Sequence, residues 1–337
     1  MRKFLAVIST AALLTNMVSC DKSESSESTS VVSQSQSTIE TLEVSESDFE
    51  FEENENGITL TKYIGATENP KIPDTVAGLS VTKIGDYCFD NTAIYAVTIP
   101  DSVTKIGEGA FANCYILCNV EFGQNVQFLG EGAFACCDQL VSLDLPETLE
   151  SIGPYAFYEC WYLQDITIPD NVTSIGEYAF YDCYNLKTMT IPENTISLGV
   201  GIFSSCTALE SITINSQITE IPETTFYECE NLKSIQYPNS VTKIGANSFI
   251  RCYALEEITF NENITQIGEG AFFGCENLKT ITFKAPSVQL GSESIGYTDS
   301  TEAEGEYVLI DGVNVHCIAS SGVEDYCSEN GINVTVE

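Results

Sequence analysis

The chain has 337 residues, 49 of them acidic and 13 basic, for a formal net charge of −36. Charge of that sign and size repels polyanions over the whole molecule, which excludes nucleic acid as a partner. Length alone predicts two domains, but an internal repeat replaces that expectation with one continuous unit.

Residues 1–19 carry Arg2 and Lys3, an apolar run over residues 4–14, and small residues before Cys20. That pattern predicts a secretory signal peptide, too short to span a membrane as a helix. Met17-Val18-Ser19-Cys20 resembles a bacterial lipobox, which makes Cys20 the expected lipidation site. Residues 20–56 then hold 11 acidic residues against Lys22, with much Ser and Thr and few large apolar side chains. A segment so poor in apolar surface and so self-repelling is expected to form a disordered tether. Residues 57–83 contain two extended pieces, Ile58-Thr59-Leu60 and Leu79-Ser80-Val81, and are expected to cap the first coil.

Repeats are expected over residues 84–295. Cys114, Cys137, Cys160, Cys183, Cys206, Cys229, Cys252 and Cys275 recur every 23 residues. A Phe stands three residues before each Cys and a Leu three after, as in Phe180 and Leu186 around Cys183. An Ile or Leu, usually followed by Gly, stands five residues before the Phe, as in Ile106-Gly107 and Ile267-Gly268. Ile166-Thr167-Ile168 alternates as a half-buried strand does, with Pro169 ending it. Residues 172–175 read as a second short extended piece, and residues 177–183 have room for one or two helical or 3₁₀ turns. A fixed period of this size predicts a solenoid whose units bury their apolar sides only against one another.

The run Leu163-x-x-Ile166-x-Ile168-Pro169-x-x-Val172-x-x-Ile175-Gly176-x-x-Ala179-Phe180 resembles the BspA-type leucine-rich repeat of bacterial surface proteins. The resemblance covers residues from about Ile58 to the C-terminus. It implies an α/β repeat solenoid of leucine-rich-repeat type, with a parallel sheet along one face, capped at both ends. Residues 296–337 are expected to form an acidic loop and a C-terminal cap with a strand at Val313-Asn314-Val315. A short helix over residues 321–330 is expected to end at Gly331. Because the resembling family includes adhesins, the expected function is surface display and recognition of a host or neighbouring-cell surface or matrix protein. A carbohydrate-binding module that uses the aromatic cluster around residues 155–184 is the alternative, with a glycan as ligand. The expected location is outside the cytoplasm, held to the cell membrane by the lipid anchor.

Several candidate sites have plainer readings. A stacked Cys column is linear, whereas zinc needs four converging ligands, so the ladder reads as small buried hydrophobes. Cys317 and Cys327 form a candidate disulfide of an exported cap. Gly107-Glu108-Gly109 recurs at the repeat turn without a following Gly-Lys, which removes a phosphate-loop reading. His316 is the only histidine, and between Ile106 and Leu290 no insertion breaks the period. No catalytic residue, metal or cofactor is therefore expected, and the chain does not read as an enzyme. What varies between repeats is more telling. Tyr155, Tyr158, Trp161, Tyr162, Tyr178, Tyr181 and Tyr184 concentrate in two successive coils, either as filler between coils or as a binding patch. The other candidate face is the strand surface, where Glu121, Asp144 and Asp165 make a local acidic area suited to a basic partner.

Overall fold

The computed structural model describes residues 42–301 and 306–337. The signal segment and Cys20 lie outside the described residues, as does the tether up to residue 41.

Each coil contributes two strands, so the solenoid carries two parallel rows. The first row runs Ala96–Thr98, Asn119–Glu121, Ser142–Leu143, Asp165–Ile166, Thr188–Ile191 and onward to Thr280–Phe283, in 23-residue register. The second row is made of two-residue strands at the Ile-Gly motif, Lys105–Ile106, Phe128–Leu129, Ser151–Ile152 and their successors. Alternation sets what each strand buries: in Thr188–Ile191, Met189 and Ile191 are buried and the threonines face out. Between the rows, Phe89, Phe111, Phe134, Phe157, Phe180, Phe203, Phe226, Phe249 and Phe272 form one buried column. Neighbouring rings stand 4.8–5.9 Å apart, mostly stacked.

The turn side differs from expectation. Residues 177–182 form consecutive turns, and the one α-helix among the described residues is Val323–Asn330 in the C-terminal cap. The cause lies in the backbone. From Tyr87 and Asn91 to Gly270 and Gly274, each coil places two residues four apart in the left-handed region, for example Tyr155 and Glu159, Tyr178 and Asp182, Gly201 and Ser205. A left-handed residue interrupts a right-handed helix and costs a non-glycine residue about 1–2 kcal/mol. The compensation is a ladder between coils: Tyr155, Phe157 and Glu159 N–H donate to the carbonyls of Glu177, Ala179 and Tyr181 at 2.8–2.9 Å.

The cysteine ladder is buried, as expected, and does more than fill space. Each Sγ donates to the carbonyl of the Phe in the preceding coil, from 3.0 Å for Cys275 to Phe249 to 3.3 Å for Cys183 to Phe157. The same carbonyl accepts the N–H of the Cys in its own coil, as in Cys160 to Phe157 at 3.2 Å. Both lone pairs of a buried carbonyl are thereby occupied, which a methyl group in place of the thiol cannot achieve.

Glycine in the Ile-Gly motif is a requirement of close approach. A Cβ on Gly176 would lie 2.3 Å from Pro154 N and 2.6 Å from Gly153 C, both backbone. Its N–H donates to Ile152 O at 2.9 Å, and the same bond recurs from Gly85 to Gly291. At residue 222 the motif has Pro, with a Cβ and no N–H. There the second row stops: Ser197–Leu198 ends one sheet and Glu220–Ile221 begins the next.

Both ends are closed differently from a bare repeat. Phe49–Asn54 pairs antiparallel with Gly57–Tyr63, so the folded N-terminal cap begins ahead of Gly57, inside the segment expected to be tether. Phe49 is buried against Tyr63 and Phe89, which starts the aromatic column. At the other end Asn314–Cys317 pairs with Thr280–Phe283 and with Asn333–Val336, and Gly331 caps the helix with φ 70°. The expected acidic loop contains a hairpin, Tyr297–Asp299 against Tyr307–Leu309. Cys317 and Cys327 are free buried thiols, not a disulfide. Each fills apolar volume under the cap, Cys317 at the end of its strand and Cys327 on the buried side of the helix.

Candidate functional site

The aromatic residues of the two coils lie on the turn side and outside the core column. Tyr155 and Tyr178 stack at 5.5 Å, and Tyr158 and Tyr181 stack at 5.0 Å with their planes 7° apart. Within each coil the pair meets edge to face, Tyr155 on Tyr158 at 5.8 Å and Tyr178 on Tyr181 at 5.9 Å. Trp161 and Tyr184 extend the lattice at 6.3 Å. The left-handed backbone at Tyr155 and Tyr178 helps to place these rings: the Tyr178 ring covers Gly201 of the next coil, where a Cβ would lie 2.3 Å from it. Trp161, Tyr162 and Tyr184 are 40%, 44% and 40% exposed, and the other four are half-buried against one another. The rings pack between coils and still present a surface.

Carboxylates run through this lattice in the columns that flank the ladder cysteines. Asp138, Glu159 and Asp182 stand beside Trp161, Tyr158 and Tyr184, and Tyr184 Oη donates to Asp182 Oδ2 at 3.2 Å. Partial burial, then the neighbouring Glu159 charge, raises the Asp138 carboxyl to about 6. Burial likewise raises the half-buried Cys136 thiol to about 12, helped by Glu159 and Asp138. No ion pair among the described residues involves Asp138, Glu159 or Asp182. Their acidity therefore stays uncompensated. The sequence showed the rings but hid this grouping, because the column before each Cys had to be read together with the column after it.

On the strand surface, Glu121 and Asp144 stand in one column and Asp165 in the neighbouring one, all exposed. Glu121 accepts from Thr98 Oγ1 at 3.0 Å. Asp165 lines an open concavity of about 690 Å³ with Asp170, Glu193, Thr190 and Asn194, which neither Glu121 nor Asp144 reaches. It lies where the first row is interrupted between Asp165–Ile166 and Thr188–Ile191. Among the described residues no group of three or more His, Cys, Asp or Glu is arranged to hold a metal ion. No helix there is long and apolar enough to cross a membrane.

Two parallel strand rows, a 23-residue period and an inward Leu, Ile and Phe lattice define a solenoid of the leucine-rich-repeat class. Residues 82–209 and 173–302 match the BspA type leucine rich repeat region, in six copies, and the chain belongs to that family of bacterial cell-surface repeat proteins. Among solved structures, the T. pallidum leucine rich repeat protein is 25% identical, covering 64% of this chain and 91% of its own, with a TM-score of 0.49. A leucine rich cell surface protein from Faecalibacterium prausnitzii A2-165 is 26% identical over 87% of this chain and 94% of its own, TM-score 0.48. The pneumococcal vaccine antigen PcpA is 19% identical over 86% and 98%, TM-score 0.43. No curated protein matches the chain.

Proposed function

We propose that this chain is a non-catalytic binding protein, tethered through a lipid on Cys20 and displayed outside a bacterial cell. Its turn-side aromatic lattice recognises a surface or matrix protein of a host or neighbouring cell. The observation that carries this reading is the lattice itself. Trp161 and Tyr184 are exposed, Tyr158 and Tyr181 are half-buried beside them, and none belongs to the core, which a separate Phe column already fills. Partly exposed Tyr and Trp in a rigid array offer large contact area at low entropic cost, the property of interface anchors.

The test is capture by the full chain on a matrix-protein panel and a glycan array. The comparison is a variant with Tyr158, Trp161, Tyr181 and Tyr184 replaced by Ser. Loss of protein capture with an unchanged circular dichroism spectrum is expected. Capture confined to sugars assigns the carbohydrate function instead, and capture lost only when Glu121, Asp144 and Asp165 are reversed to Lys moves the site to the strand surface. Cys20→Ala should release the protein from cells or leave its signal uncleaved, and unchanged lipid labelling would remove the anchor from this reading.

A further inference from the structure

The chain already uses its turn side as a docking surface once. The C-terminal hairpin arches back over the coils so that its cross-strand neighbours Asp299 and Tyr307 meet Arg251 and Phe273. Arg251 Nη2 donates to Asp299 Oδ2 at 3.2 Å, and Tyr307 sits edge-on against Phe273 at 4.9 Å. Arg251 occupies the left-handed position before the ladder Cys252, and Phe273 follows the column Phe272 in the next coil. The repeat geometry sets that pairing of one charge with one ring a coil apart, and Glu228 Oε1 of the preceding coil holds Arg251 Nη1 at 2.8 Å.

Four coils upstream the same two positions are Glu159 and Tyr181. The ring is retained and the charge is inverted. Glu159 is left-handed at φ 55°, as Arg251 is at 57°, so the backbone presents both side chains alike. No part of the described chain makes an ion pair with Glu159, and Asp138 and Asp182 add charge of the same sign. Resting on the proposed binding role of this face, we infer that the Glu159–Tyr181 surface docks a polypeptide edge of another protein carrying an Arg or Lys beside an aromatic residue. It would be the charge-reversed counterpart of the chain's own Asp299–Tyr307 pair. A second copy of this hairpin does not fit, because it would bring Asp299 against Glu159. A sugar offers the ring a flat face but leaves three carboxylates without a cation. A basic segment satisfies both, and the net charge of −36 favours its approach.

The probe is a cyclised hairpin peptide bearing one cross-strand Arg–Tyr pair on a Ser, Thr and Gly frame, titrated into the full chain by calorimetry at low salt. Glu–Tyr and Arg–Ser versions serve as controls. The Arg–Tyr peptide should bind at least about tenfold more tightly than either control. Glu159→Lys, at a half-buried position, should reverse the preference toward the Glu–Tyr peptide, and Tyr181→Ser should reduce the Arg–Tyr peptide to the level of Arg–Ser. Equal affinity for the Arg–Tyr and Glu–Tyr peptides overturns the inference, as does a preference that survives Glu159→Lys or the absence of binding by all three. If the inference fails while the four-residue Ser variant still loses protein capture, the aromatic site stands and only the charge assignment falls.

Discussion

Replacing Gly176 by Ala adds one methyl group, yet it should damage the solenoid far more than a methyl added where the neighbouring space is open. The new Cβ would lie 2.3–2.6 Å from Pro154 N, Gly153 C and Pro154 Cα, none of which belongs to a side chain that can swing away. The coils must separate, which stretches the Gly176 N–H bond to Ile152 O, now 2.9 Å, and the Ser174–Ile175 pairing beside it. Overpacking of about 1–3 kcal/mol and the loss of one or two hydrogen bonds near 1 kcal/mol each give an expected cost of about 2–5 kcal/mol. Gly132→Ala is the control. Its φ of 58° makes Ala unfavourable, but the nearest atom to a Cβ there is Ala135 Cβ at 3.7 Å, and Tyr155 and Tyr178 occupy the same column natively. Its cost should be only about 1–2 kcal/mol. Urea denaturation followed by circular dichroism separates the two. If Gly132→Ala destabilised the chain as much as Gly176→Ala, close backbone approach would not be what the motif glycine provides.

Cys183 should resist iodoacetamide until the chain is unfolded. Cys183→Ala should cost about 1–2 kcal/mol for the lost thiol donor and small void, and Cys183→Asp more than about 3 kcal/mol for a buried unpaired charge. Native labelling at the rate of an exposed thiol would contradict the ladder. Asp138, raised to about 6 by burial and then by Glu159, favours the folded state while protonated. Its contribution is fully present below the unfolded value near 3.9 and is lost as pH rises through about 6. Asp138→Asn should therefore raise the melting temperature at pH 7 relative to the parent but not at pH 4, and parallel curves across that window would refute the assignment.

Much of the fold was legible because a solenoid repeats its instructions. The columns of Phe, Leu, Ile and Cys named the buried face, and Gly331 marked the end of the final helix. The turn side was harder to read. Its left-handed positions are filled by Tyr155, Glu159, Tyr178 and Asp182 as readily as by Gly201, so composition carries no sign of them. Hydrogen bonds to the next coil, a non-local property, hold them there. The N-terminal strand was obscured by charge: Glu50, Glu52 and Glu53 made Phe49–Asn54 look like tether, although the Phe49-Glu50-Phe51-Glu52 alternation was a strand signal. The rings of the candidate site were visible as a cluster. Its charge pattern and its likeness to the Arg251–Phe273 contact emerge only when equivalent positions four coils apart are overlaid.

Pro222 has a mechanical consequence. Where it interrupts the second strand row, the neighbouring coils remain joined by the first row, Thr188–Ile191 against Ser211–Ile214, and by the turn bonds from Gly201, Phe203 and Ser205. Phe203 and Phe226 are also 5.9 Å apart there, the widest gap in the Phe column. The joint is therefore stiff on two sides and compliant on the third. Bending at this level has a preferred direction, opening the side at Leu198 while the other sides act as the pivot. The aromatic lattice lies wholly on the N-terminal side of that pivot and the C-terminal hairpin wholly on the other. A load applied at one end can thus be taken up as rotation about Pro222, without distorting the ring stack of Tyr158 and Tyr181.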